Sequence, residues 1–202
     1  MNRKLFLSTL ICFLLADLAY SQIRIGGRLS GSMTNITDVH SHSKSRGGFQ
    51  VGVFGLIPIT NNDILFFQPE VNFSAQGEFD QPRRSNGSYE KQQIFLNYIN
   101  VPLHAKLYFT DAESEFFVEG GPYLGFKIGE NIEDVGYPTE AGNNEFSSFD
   151  FGATLGVGFS MNRQFEASLR YSYGLVDQVS NDAANASNST SILNLGISYI
   201  FN

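Results

Sequence analysis

Histidines and carboxylates are the residues of this chain best equipped for chemistry. His40-Ser41-His42 sets two imidazoles on one side of an extended segment, a spacing that could grip a metal ion. Asp38 is the nearest acid and no further cluster joins them, so a solvated loop is the expectation. Glu130, Glu133, Asp134, Glu140 and Glu145 fall in one stretch without Lys or Arg. Such a stretch could collect Ca²⁺ or Mg²⁺, which take oxygen ligands. It lacks the ordered Asp-x-Asp-x-Asp-Gly spacing of a calcium loop, so it too reads as solvated. His104 alternates with Pro102 and Lys106. No motif supplies it with the serine and acid of a hydrolase. The sequence therefore predicts neither catalytic residues, nor a metal, nor a cofactor.

A second set of charges is spread thinly along the chain. Arg24, Arg28, Lys106, Lys127 and Arg170, with Glu70, Glu119, Asp150 and Glu166, share the parity of small polar residues in alternating segments. Five basic residues against four acidic ones is close to neutral. Buried charges persist only when paired and hydrogen-bonded. The expectation is a charge network that plugs an interior, with Glu70 at its centre.

The elements that must position these residues are strands. The sixth segment alternates Phe149, Phe151, Ala153, Leu155, Val157, Phe159 and Met161 against Asp150, Gly152, Thr154, Gly156, Gly158 and Ser160. That is the period of a strand with one apolar face. Strands are predicted at 22–34, 48–59, 64–76, 91–109, 115–128, 149–161, 164–174 and 191–201. The gaps after the second, fourth and sixth are short and the others long. This rhythm belongs to an up-and-down membrane barrel. The predicted fold is all-β, an eight-stranded antiparallel up-and-down transmembrane β-barrel over 22–202.

Composition agrees. Charged residues make up 16% of the chain, against about 25% in an average soluble protein. A soluble barrel would meet water with many Lys and Glu. Here the polar faces carry mostly Gly, Ser, Thr and Asn. Phe67, Phe109, Phe116, Phe159, Phe165, Tyr199 and Phe201 lie near the short-turn ends of the strands. Phe73, Phe95, Phe126, Phe149, Phe151, Tyr171 and Tyr173 lie near the long-loop ends. Two such rings are the girdles of a membrane barrel. Pro69 and Pro102 each remove a ladder donor, and a bulge is expected at each.

The N-terminus reads as an export signal, residues 1–21. Arg3 and Lys4 precede an apolar run from Leu5 to Leu15, and Ala19-Tyr20-Ser21 precedes Gln22. The run is shorter than the roughly 20 residues of a membrane-spanning helix. Ile11 before Cys12 is not the small residue of a lipoprotein site, and Cys12 is the one cysteine. Cleavage after Ser21 would leave no thiol chemistry. The formal charge of -7 argues against nucleic acid as a partner.

The last strand resembles the C-terminal signature of barrels inserted by the bacterial outer-membrane assembly machinery. A polar residue, Asn194, is followed by Gly196 and the aromatics Tyr199 and Phe201. That pattern ends on the aromatic, whereas here Asn202 follows. Three inner segments extend the likeness. Phe67-Gln68-Pro69-Glu70-Val71-Asn72-Phe73, Tyr98-Ile99-Asn100-Val101-Pro102-Leu103 and Gly120-Gly121-Pro122-Tyr123 resemble the third, fourth and fifth strands of the PorT-like outer-membrane β-barrel family. The resemblance implies a small barrel of the OmpA/OmpX type in a Gram-negative outer membrane. It implies outer-membrane lipid and the barrel-assembly machinery as partners. Some members of that family serve secretion or gliding machinery. The functional expectation is a non-catalytic barrel acting through its outer loops, or with an envelope protein partner. A narrow porin and a lipid-modifying enzyme are the alternatives.

Overall fold

A computed structural model describes residues 23–36, 43–139, 145–179 and 188–201. Residues 1–21, Asp38, His40, His42, Glu140 and Asn202 lie outside that set. Eight strands follow one another: β1 (Arg24–Ile36), β2 (Lys44–Pro58), β3 (Leu65–Asp80), β4 (Gln92–Tyr108), β5 (Ser114–Ile132), β6 (Phe149–Met161), β7 (Phe165–Gly174) and β8 (Thr190–Phe201). Each pairs antiparallel with its chain neighbours, and β1 pairs with β8 from Ile25↔Phe201 to Ile36↔Thr190. The sheet is thereby a closed barrel without an edge within the paired region.

Alternation decides which side chains enter the lumen. Even-numbered residues point inward along β1–β4 and β6–β8, odd-numbered ones inward along β5. The outward residues are large and apolar. Leu155 is 74% exposed and Leu195 68%. That surface is what the hydrocarbon of a bilayer would cover, and a soluble barrel would turn it the other way. Outward aromatics contact one another across strands, as in Phe165–Tyr199 with centroids 4.8 Å apart and Phe116–Phe159 at 5.1 Å.

β2, β3 and β5 run past their predicted long-loop ends, to Lys44, Asp80 and Ile132. Cross-strand pairing continues there although the apolar alternation has faded. The expected bulges at Pro69 and Pro102 are absent. The β3–β4 alignment is unshifted between Pro69↔Leu103 and Asn72↔Asn100, and the β4–β5 alignment between Pro102↔Tyr123 and Ala105↔Gly120. A missing donor leaves rungs of the ladder open without demanding an extra residue. The shifts lie instead between Ser45 and Phe49 on β2 and at Asn97/Tyr98 on β4. Gly77 stands beside the first of these with φ 137°, and a Cβ there would fall 1.9 Å from the Ile94 carbonyl oxygen.

Candidate functional site

The lumen is the candidate site, and it is filled in layers. At its middle Arg170 of β7 grips two carboxylates. It donates Nη1 to Glu70 Oε2 at 2.8 Å and Nη2 to Glu70 Oε1 at 2.7 Å. It also donates Nε to Glu119 Oε1 at 2.6 Å and Nη2 to Glu119 Oε2 at 2.8 Å. Gln68 Nε2 and Asn72 Nδ2 add donors to Glu70, at 2.5 and 3.0 Å. This fork matches the planar bidentate geometry of guanidinium and carboxylate. Gly156 makes room for it, because a Cβ there would meet Arg170 Cγ at 2.9 Å and Glu119 Cγ at 3.1 Å.

Toward the short turns, Lys106 Nζ sits 2.5 Å from Glu166 Oε2, and Tyr108 Oη donates to Glu166 Oε1 at 2.6 Å. The ammonium also lies 3.9 Å from the centroid of Phe117. Arg28 Nη1 donates to Ser168 Oγ at 2.6 Å. Lys106 and Arg170 thus hold Glu70, Glu119 and Glu166, while Arg28, buried in the same layer, bonds only serine hydroxyls and leaves Nε and Nη2 unmatched; the layer holds three charges of each sign.

Three residues assigned to the network by alternation stand apart from it. Arg24 lies at the short-turn end over the ring of Phe66, 5.1 Å from its centroid. Lys127 pairs with Glu130 at 2.5 Å near the long-loop end. Asp150 is buried among neutral donors, Tyr123 Oη at 2.8 Å and Gln178 Nε2 at 3.0 Å. Alternation reports which face a side chain takes, whereas partners depend on its height in the barrel.

Two apolar layers cap the ionic one. Phe54, Leu56, Phe66, Tyr108, Phe117 and Ile200 cluster at the short-turn end. Ile36, Ile94, Leu96, Tyr98, Phe146 and Val179 cluster at the long-loop end. The sequence reading missed both. The strand members of these layers carry lumen parity, so alternation holds a signal that the charged residues alone do not give. Between the layers the cavity beside Asn100, His104, Arg170 and Asn194 measures about 10 Å³, barely enough for one water molecule.

Arg163 is a second omission. It occupies the β6–β7 turn with φ 49°, and Asn162 before it has φ 52°. Two left-handed residues make the tight turn that suits a twisted hairpin, but arginine is an unusual choice for it. Its guanidinium donates to Asp63 O at 2.7 Å, Thr110 O at 3.1 Å and Glu115 Oε1 at 2.6 Å. One side chain thereby laces all three short turns together.

Glu70, His104 and Glu119 bring their ligand atoms within 4.8 Å of one another and form the one metal-like grouping among the described residues. Both carboxylates are already committed to Arg170. His104 Nδ1 is 3.7 Å from Glu70 Oε1. With three charges of each sign in balance, a dication here would be uncompensated. Glu133 and Asp134 are exposed, and Glu133 Oε2 accepts from the Gln93 amide at 3.1 Å. Of the terminal strand, Asn194 and Gly196 turn into the lumen, while Tyr199 and Phe201 face out with ring centroids 5.3 Å apart.

A family model described as an outer membrane protein beta-barrel domain matches residues 15–179. No curated protein matches the sequence. Among solved structures, a major outer membrane protein from Thermus thermophilus is 11% identical with a TM-score of 0.52, over 89% of this chain and 100% of that one. The outer membrane enzyme PagL is 12% identical with a TM-score of 0.50, over 85% and 98%. Neisserial surface protein A is 13% identical with a TM-score of 0.49, over 89% and 97%. At these identities the first two likenesses speak for the fold alone. With the family model covering most of its length and eight strands closed on themselves, the chain belongs to the outer membrane protein β-barrel domain family.

Proposed function

We propose that this protein is an integral outer-membrane barrel whose lumen is a structural core, and that it acts without catalysis through its outer loops or as a component of an envelope complex. The observation that carries the reading is the closure of the lumen at three levels by an aromatic layer, an ionic layer and an apolar cap. An eight-stranded barrel is only just wide enough for side chains to fill. A selective pore would more readily show one sign of charge in excess. The balanced network favours a plug.

The export signal at 1–21, the PorT-like affiliation and a Gram-negative envelope belong to the same proposal. The short turns would then face the periplasm and the long loops the outside. Lipid and the assembly machinery are the partners that every such barrel needs. The enzyme PagL shares the fold, but a lipid-modifying site must open to the bilayer. The histidine among the described residues, His104, is completely buried in the lumen.

Conductance across a planar bilayer tests the reading. The expected trace shows no steady open level. A stable conducting state in the wild type would replace the plug with a pore. Lipid A mass spectra from cells with and without the gene should be identical, and crosslinking in native membranes should capture an envelope protein.

A further inference from the structure

Among the described residues, the basic side chains on the outer wall of the barrel gather at one place. Lys44 and Arg46 open β2, and Lys91 stands one residue before β4. Even-numbered residues of β2 otherwise turn inward. The shift between Ser45 and Phe49 sets four steps on β2 against three on β3, from Glu78 to Ala75. The extra residue reverses the faces above it, as a bulge does. Lys44 thereby lies across from Phe79, an outward residue of β3. Lys44 and Lys91 are exposed and Arg46 partly so.

Two outward phenylalanines carry these cations. Phe79 lies opposite Gln93 and Phe95 opposite Gly77 on the β3–β4 ladder, so the rings are diagonal neighbours on one face. Lys91 Nζ stands 3.5 Å from the centroid of Phe79, and the Arg46 guanidinium carbon 4.0 Å from that of Phe95. Arg46 Nη1 donates to the Gln76 carbonyl at 2.8 Å and lies 3.4 Å from where a Cβ of Gly77 would stand. Glycine leaves the sheet bare there for the guanidinium. None of the three cations forms an ion pair among the described residues. Glu78 and Asp80 of β3 turn to the other face and are buried. Glu90 is held by Arg84, and Glu133 accepts from the Gln93 amide.

The height of the patch suits lipid headgroups. On β3, Leu65 to Ala75 climbs about 25 Å at a rise of about 3.3 Å per residue and a tilt of about 40°, which is the height of an apolar band. Gly77 and Phe79 stand about 5–10 Å higher, in the headgroup layer. A ring beneath an ammonium or guanidinium fixes the cation without neutralising it. A phosphate supplies the missing charge and accepts from both kinds of donor. We infer that Lys44, Arg46 and Lys91 form a binding site for the phosphate of an outer-leaflet lipid on the wall of β2–β4. The assignment to that leaflet rests on the orientation proposed above, with the long loops outside.

The test uses the folded barrel in non-ionic detergent with lipid A as the probe, read by native mass spectrometry. One lipid A should stay bound per barrel. Its dephosphorylated form should bind the wild type at least about tenfold more weakly, since each Lys or Arg near an anionic lipid surface contributes a factor of about five. Lys44→Gln/Arg46→Gln/Lys91→Gln should lose affinity for lipid A to the same extent and keep heat-modifiable migration. Lys91→Gln alone should be about fivefold weaker, whereas Arg84→Gln, an equal loss of charge already spent on Glu90, should bind as the wild type does. Excess inorganic phosphate should leave the lipid in place. Equal binding of the two lipid forms overturns the inference. So does full retention in the triple variant, equal weakening in Arg84→Gln and Lys91→Gln, or displacement by inorganic phosphate. Recovery of the protein outside the outer membrane would instead overturn the reading beneath it.

Discussion

Glu70 and Glu90 are both held by an arginine, under opposite conditions. Glu70 lies in the middle of the lumen with its side chain fully covered, and Arg170 reaches it from β7 across the barrel. Glu90 lies in the connection between β3 and β4, where Arg84 is 44% exposed. Arg84 is nonetheless pulled further toward its charged form by the hydrogen bond and charge of Glu90. The bonds are alike in chemistry. Water makes the difference, because an exposed partner is resolvated when its mate is removed and a buried one is not. The lumen pair is therefore part of the fold, and the hairpin pair is decoration on it.

The largest effect should come from breaking the buried side. Glu70→Ala strands Arg170 beside a single carboxylate and should cost about 3–5 kcal/mol of stability, read from urea unfolding in detergent or lipid. A midpoint equal to wild type would erase the contrast. Replacing the whole set in Glu70→Leu/Glu119→Leu/Arg170→Met should recover most of that loss, since an apolar core of similar volume needs no pairing. Recovery would show that the cost in the single variant is a stranded charge and not a lost attraction.

Arg163 tests the ground between these extremes. Arg163→Ala removes bonds to the two other short turns and should cost about 1.5–3 kcal/mol, the range for hydrogen bonds to charged groups. An unchanged urea midpoint would mean that each hairpin holds itself. Phe201→Ala probes the outer face. It should lower the folded yield in cells while leaving purified barrel close to wild type in unfolding, because the ring is 54% exposed and packs on Tyr199. Heat-modifiable migration on gels measures that yield, and equal yields would remove the assembly role. The smallest effect belongs to the rim. Arg84→Ala and Glu133→Ala should leave the urea midpoint where it was, and added salt should weaken Arg84–Glu90 without consequence. A clear loss in either would place the hairpin or the acidic loop in the folded core.

Much of this molecule is legible in one dimension. Period-2 alternation in β6 and β7 predicts strands, and the rhythm of short and long gaps predicts their up-and-down order. The sparse charge and outward aromatics predict which face meets lipid. Alternation is a local property of the pleat, so it survives in the sequence. What it omits is height. Phe66 and Glu70 share a face, yet one lies in an aromatic plug and the other in an ionic layer. The strands' stagger around the barrel set that difference.

The sequence by itself determined the barrel, its strand count, its lipid face and the charged residues turned inward, because each follows from contacts between neighbours in the chain or in the pleat. Only the tertiary structure decided the partners. Arg170 meets Glu70 from a hundred residues away, Lys127 is drawn off to Glu130, and Arg163 ties turns contributed by three hairpins. Such pairings depend on the register and closure of all eight strands, which no single segment encodes.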